Sequence, residues 1–241
     1  MNIGIIGSGE MGICLATKLD KPGHTVSIAN SRGPASLKQI TEDIGAEAAT
    51  VEEAIKNKKL IIVSIPQKNV SDLPKNLFKD LPNGVVVIDT GNYYPSLRDG
   101  AIPALEQTGI DSLWVQEQLG IPVVKVFNSI LATSLKDMGR LKGEKNRIAL
   151  AVSGDEIKAK ELVFNLVDRL GFDAFDIGTI AQSWKQQPGS PIYCRDINLE
   201  EIKRRVDAME RSDMPEVIVA KRKADEALMK ADYPAYLKSL Q

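Results

Sequence analysis

Near its start the chain runs from an apolar stretch straight into a glycine-rich turn, and this junction restricts the fold more than any other feature of the sequence. Asn2 to Ile6 is short, apolar and isoleucine-rich, as a strand buried on both faces must be. Gly7-Ser8-Gly9-Glu10-Met11-Gly12 follows at once. Met11, Cys14, Leu15, Lys18 and Leu19 then recur on one side of a helix. Lys21-Pro22-Gly23 is a stop signal, and Thr25 to Ala29 reads as a second strand. A G-x-G-x-x-G pattern is weak alone, but between a strand and a helix of a βαβ unit it marks a dinucleotide site. Gly7 permits the tight turn, Gly9 leaves room for a pyrophosphate against the backbone, and Gly12 lets helix and strand pack closely. The N–H groups and dipole at the helix start then favour phosphate, with Ser8, Glu10 and Met11 as neighbours in the loop.

The end of the second strand selects the dinucleotide. A carboxylate there would hold a ribose 2′-hydroxyl. This chain has Asn30-Ser31-Arg32 instead. Nothing in that triplet repels a 2′-phosphate, Ser31 can donate to it, and Arg32 offers a fork of donors. The expected cofactor is NADP.

Downstream, strands are expected at 60–64, 85–88, 123–127, 147–152 and 173–177. Helices are expected at 37–44, from 52, at 73–78, 101–106, 112–118 and 156–170. Beyond Gly178 only helical spacing remains, through Leu199, Ile202, Val206 and Met209 and then Val217 to Met229. This alternation implies an α/β fold of Rossmann type, a doubly wound, mainly parallel sheet with a small helical C-terminal extension. The expected division is a nucleotide-binding domain over 1–178 and the extension over 179–241. Strand ends line the crevice in such sheets. Ser64-Ile65-Pro66, then Gly91 and Asn92, then Asn128 are therefore candidate cofactor contacts.

Composition narrows the function. With 241 residues, 43% apolar and 26% charged, the chain can bury a core unaided. A net charge of −1 provides no field for nucleic acid or an anionic membrane. No apolar run approaches the roughly 20 residues of a membrane span. The opening residues lack a signal-peptide pattern, so a cytoplasmic location is expected. Cys14 and Cys194 lie far apart without metal-ligand spacing, and Cys14 reads as core. His24 is the only histidine and sits in a turn, where it reads as structural. No tyrosine is followed by lysine four residues on, and no nucleophile elbow or metal triad is present. Carbonyl reduction usually needs a placed proton donor, whereas hydride exchange between two redox rings needs mainly proximity and orientation.

These residues resemble a known family. Ile5 to Gly12 with Asn30-Ser31-Arg32-Gly33-Pro34, Val124 to Ile130, and Asp176-Ile177-Gly178 are similar to the NADPH-dependent coenzyme F-420 (8-hydroxy-5-deazaflavin) reductases. The NADP-binding domain of the six-transmembrane ferric reductases is similar too. The resemblance implies hydride exchange between NADPH and a deazaflavin, coenzyme F-420, or a flavin as co-substrate. It also implies a homodimer. It maps Gly7 to Gly12 onto the phosphate loop, Ser31 and Arg32 onto the 2′-phosphate site, and Ser64 to Pro66 onto the ribose–nicotinamide wall. Asn128-Ser129-Ile130 departs from the family's His-Thr-Ile type turn, and the tail from Arg195 runs past the family's usual end. Two alternatives stand beside this reading. One is a pyrroline-carboxylate or hydroxyacid-type reductase, whose large helical second domain has no counterpart here. The other is a non-catalytic NADP-sensing or partner-binding protein.

Overall fold

The alternation of strands and helices is realised as one eight-stranded sheet in the computed structural model, which describes residues 1–20, 23–209 and 214–240. In chain order the elements are β1 (Asn2–Ile6), α1 (Glu10–Asp20), β2 (Thr25–Ala29), α2 (Lys38–Ile44), β3 (Glu47–Ala49), α3 (Val51–Ile55) and β4 (Leu60–Val63). There follow β5 (Val86–Asp89), α4 (Pro103–Thr108), α5 (Asp111–Leu119), β6 (Val124–Lys125), α6 (Ala132–Asp137), β7 (Ala149–Ser153), α7 (Ile157–Arg169) and β8 (Asp173–Gly178). The tail carries α8 (Leu199–Met209), α9 (Met214–Ala231) and α10 (Tyr233–Ser239). Lys21 and Pro22, read from sequence as a stop signal, lie outside the described residues.

The sheet order is β3-β2-β1-β4-β5-β6-β7-β8. Neighbours run parallel except β6 and β7, which meet antiparallel through Lys125 and Ser153. The chain works outward from β1 to β3, then restarts at β4 on the other side of β1. Connections therefore diverge above the β1–β4 pair and leave a crevice at their carboxyl ends.

Side chains alternate across the sheet and feed two cores. Ile3, Ile5, Leu60, Ile62, Val86 and Ile88 pack with Leu15 and Leu19 of α1 and Val163 and Leu166 of α7. Ile6, Ile61, Val63 and Val87 pack on the opposite face with Leu105, Trp114 and Val115. The start of α3 has a local cause, because Thr50 and Glu53 cap one another, with Glu53 N–H donating to Thr50 Oγ1 at 3.2 Å and Thr50 N–H to Glu53 Oε2 at 2.8 Å.

Residues 73–78 do not form the expected helix. They are a chain of turns, with Asn76 at φ 64° and Pro74 unable to donate to a helical ladder. Three short elements were not read from sequence. β3 has three residues, and α6 and α10 have six and seven, too few for a periodic signal. In the tail, Ile202, Val206 and Met209 form one stripe of α8 and pack with Ile218 on Ala149, Ala151 and Ile177. Lys203 and Arg204 face solvent, and Arg204 and Arg205 pair with Glu201. Among the described residues no helix is long and apolar enough to cross a membrane.

Candidate functional site

The crevice begins at the glycine turn, whose three glycines meet different surroundings. Gly7 has φ 122°, and a Cβ there would lie 2.0 Å from the Ser64 carbonyl oxygen. A Cβ on Gly12 would lie 2.1 Å from the Gly7 carbonyl oxygen. Both contacts are with backbone and cannot yield cheaply. A Cβ on Gly9 would meet nothing within 4 Å. The fold itself thus demands Gly7 and Gly12, while the room beside Gly9 is open. Ile13 N–H donates to Gly9 O at 2.9 Å, closing the first turn of α1 and leaving the earlier N–H groups for a ligand.

Asn30 ties this turn to the end of β2. Its Nδ2 donates to Ser8 Oγ at 3.1 Å and Ser36 Oγ at 3.0 Å. Its Oδ1 accepts from Arg32 N–H at 2.9 Å. That bond fixes the backbone after β2 and leaves the Ser31 and Arg32 side chains exposed. Asn30 is thus a scaffold for the loop, with its side chain already engaged.

Two clefts meet at this point. One, of about 540 Å³, is lined by Gly7, Ser8, Gly9, Asn30, Ser31 and Arg32, and continues over Ser64, Ile65 and Pro66. The second, of about 310 Å³, shares Gly9, Ser64, Ile65 and Pro66 and adds Glu10, Met11, Gly91, Asn92 and Asn128. Fourteen of the fifteen residues picked out from sequence therefore line one or other cleft, and Gly12 lies directly behind the turn. Two larger clefts, of about 750 and 760 Å³, open against Lys18, Lys136 and Asp137 and include neither Gly9 nor Ser64.

Beneath the smaller cleft lies a buried polar network. Lys125 Nζ, fully buried, pairs with Asp89 Oδ2 at 2.9 Å and also donates to the Gly91 carbonyl. Asp89 further accepts from Ser112 Oγ and Gly91 N–H, each at 2.7 Å. Asn128 donates to Gln186 O at 2.7 Å and Asn92 Oδ1 at 3.1 Å, and accepts from Gln186 Nε2 at 2.8 Å. Its amide faces the network as well as the cleft. Such saturation holds a cleft floor in one geometry.

Sequence reasoning did not single out Tyr94, Arg98, Phe127, Tyr193 and Cys194, which also line the smaller cleft. Tyr94 and Arg98 belong to the loop after β5, and Tyr193 and Cys194 arrive from the tail with no local signal. The tail also braces the loop. Glu226 Oε1 accepts from Ser96 N–H at 2.9 Å and Leu97 N–H at 3.3 Å. Arg222 pairs with buried Asp111 at 3.0 Å. Removing either partner of such a pair costs about 3–5 kcal/mol. Burial pushes the Asp111 carboxyl up, against the pull of Arg222 and Lys125.

With this geometry in place, comparison with known proteins shows what the chain is similar to. Residues 2–93 match the family described as NADP oxidoreductase, coenzyme F420-dependent. The resemblance read from the sequence holds. Metalloreductase STEAP3 of Rattus norvegicus is 28% identical over 182 residues, 75% of this chain and 34% of its own. YjhV of Escherichia coli (strain K12) is 46% identical over 63 residues, 26% of this chain and 46% of its own. The chain thus spans between a third and a half of these curated relatives. The crystal structure of a protein assigned as an F420-dependent NADP-reductase from Arthrobacter sp. FB24 superposes with a TM-score of 0.64 at 24% identity. It covers 76% of this chain and 87% of that one, and shows the shared Rossmann-type fold.

Three further residues of chemical interest, His24, Cys14 and Trp184, lie away from this groove. His24 Nδ1 is 3.0 Å from the Met1 amino group, and burial together with that charge lowers its pKa. Cys14 is half-buried, with Sγ 3.6 Å from the Ala132 carbonyl. Trp184 packs beside the α8 stripe, under Lys185 at 5.6 Å.

Proposed function

We propose that the protein is an NADP(H)-dependent oxidoreductase that exchanges hydride between NADPH and a deazaflavin- or flavin-type ring. The continuity of the two clefts through Gly9, Ser64, Ile65 and Pro66 carries this reading. An elongated dinucleotide needs such a groove at the point where strand order reverses.

The residues fit the cofactor, because the one glycine of the turn with open space at its Cβ position is the one a pyrophosphate must approach. NADP supplies the hydride chemistry when bound. The chain supplies the rest. The first N–H groups of α1 and the turn around Gly9 hold phosphate. Ser31 and Arg32 hold the 2′-phosphate, on a backbone fixed by Asn30. Ser64 to Pro66 form the wall along which the two clefts join. Gly91, Asn92 and Asn128 sit where the reactive ring and its acceptor meet. Similarity to the coenzyme F420-dependent NADP oxidoreductase family and to a metalloreductase supports a redox role. A small-molecule co-substrate and a homodimer belong to the same proposal and rest on the resemblance.

Stopped-flow oxidation of NADPH tests it, with coenzyme F-420, FMN, FAD and ferric–flavin mixtures offered in parallel. Rapid oxidation by one of them is the expected result. Tight NADPH binding by calorimetry with no oxidation by any would overturn hydride transfer in favour of a sensing role.

A further inference from the structure

The smaller cleft has features that dinucleotide binding does not require. Tyr94 and Tyr193 both line it, with hydroxyl oxygens 2.5 Å apart. Two hydroxyls in one contact carry two protons, and only one can lie between the oxygens. Arg98 sits over the Tyr94 ring, 5.5 Å from its centroid, and helps hold that side chain in place. Either hydroxyl can donate across this contact, and in the arrangement where Tyr193 donates the Tyr94 proton is left for a ligand.

Backbone strain points to the same cavity. Five described non-glycine residues have positive φ. Asn57, Asn76 and Asn146 are of the type that tolerates it. The other two, Phe127 at 63° and Cys194 at 50°, both line this cleft. Strained backbone of this kind persists where surrounding structure enforces it, and it gathers at functional sites. Tyr94 is also held rigidly, since its N–H donates to Asp99 Oδ2 at 2.8 Å and Glu226 pins the next two N–H groups.

We propose that Tyr94 donates a hydrogen bond to the heteroatom of the acceptor that gains charge as hydride arrives, with Tyr193 as the residue that positions it. This rests on the hydride-transfer reading above. The acceptor class that follows is a conjugated ring whose hydride-accepting atom is linked through double bonds to a nitrogen or oxygen. Hydride brings two electrons and one hydrogen to the first atom. The displaced pair comes to rest on the heteroatom, which later takes one proton from water. A preorganised donor aimed at that atom lowers the barrier without giving up its own proton. Burial holds the Tyr94 hydroxyl well above the usual phenol range, in keeping with a donor that stays protonated.

The test compares Tyr94→Phe and Tyr193→Phe with the unaltered full chain. NADPH affinity is read by fluorescence titration, the visible bands of bound FMN and coenzyme F-420 by absorption, and kcat and KM by turnover. For Tyr94→Phe, NADPH affinity and KM hold, the band shift of the bound ring is lost, and kcat falls about 100-fold. Tyr193→Phe leaves the Tyr94 donor in place and lowers kcat about 10-fold. Wild-type turnover and an unchanged band shift in Tyr94→Phe would overturn the proposal alone. A wild-type protein that oxidises NADPH with neither ring would overturn the hydride reading and this proposal with it.

Discussion

The larger of the two joined clefts takes its whole lining from residues between Ile6 and Pro74, while the smaller gathers Gly9, Asn92, Phe127 and Cys194 from across the chain. The first is made by consecutive βα turns, each using short-range chemistry: a glycine corner, an Asn-fixed loop, a proline after a strand. The second exists only once β5, β6 and the tail have been brought together over the Asp89–Lys125 pair. The family match over residues 2–93 covers the first cleft completely and stops one residue short of Tyr94. A cleft built from consecutive turns leaves a local pattern that can be matched, whereas one assembled by tertiary contacts leaves none.

The sharpest way to break this comparison is at the glycine turn. Gly7→Ala should cost about 3 kcal/mol or more in urea denaturation, from strained φ and collision with the Ser64 carbonyl. Gly9→Ala should leave stability within about 1 kcal/mol yet weaken NADPH, because its Cβ enters only the ligand's space. Similar stability losses in both variants would mean that the turn serves folding alone.

A smaller effect is expected at Arg32. Arg32→Ala removes charge-assisted hydrogen bonds of about 1.5–3 kcal/mol, so NADPH should bind roughly 10- to 100-fold more weakly, with NADH unchanged. Equal losses for both dinucleotides by calorimetry would remove the 2′-phosphate from this position.

The smallest effect belongs to the smaller cleft. Burial pushes the Cys194 thiol from 9.0 up to about 12. In the unfolded chain the thiol ionises near its ordinary value, and in the folded chain it does not. The stabilisation is complete below pH 9 and is lost as pH rises from there toward 12. At pH 10 the loss should be about 1 kcal/mol. Cys194→Ala should flatten the fall in urea midpoint between pH 8 and pH 10, and an unchanged slope would contradict it.

Legibility in the sequence follows the same division. Strands β1, β2 and β4 could be placed within a residue because runs such as Leu60–Ile61–Ile62–Val63 are unbroken and end in turn chemistry. The glycine turn and Arg32 carry their roles in their immediate neighbours. Asn128 could be placed at a strand end, but the sequence held no sign that Gln186, 58 residues on, would occupy its amide. Tyr193 looked like any tyrosine in a loop. Its partner stands 99 residues earlier, and no spacing rule joins them. Residues 73–78 misled because apolar side chains at helical intervals surround a proline whose backbone cannot sustain a helix.

The grip of Glu226 on the loop after β5 has an evolutionary consequence. One wall of the smaller cleft hangs from a helix that makes no part of the larger one. Substitutions in α9 and α10 can therefore reshape the smaller cleft while the residues lining the larger one stay untouched.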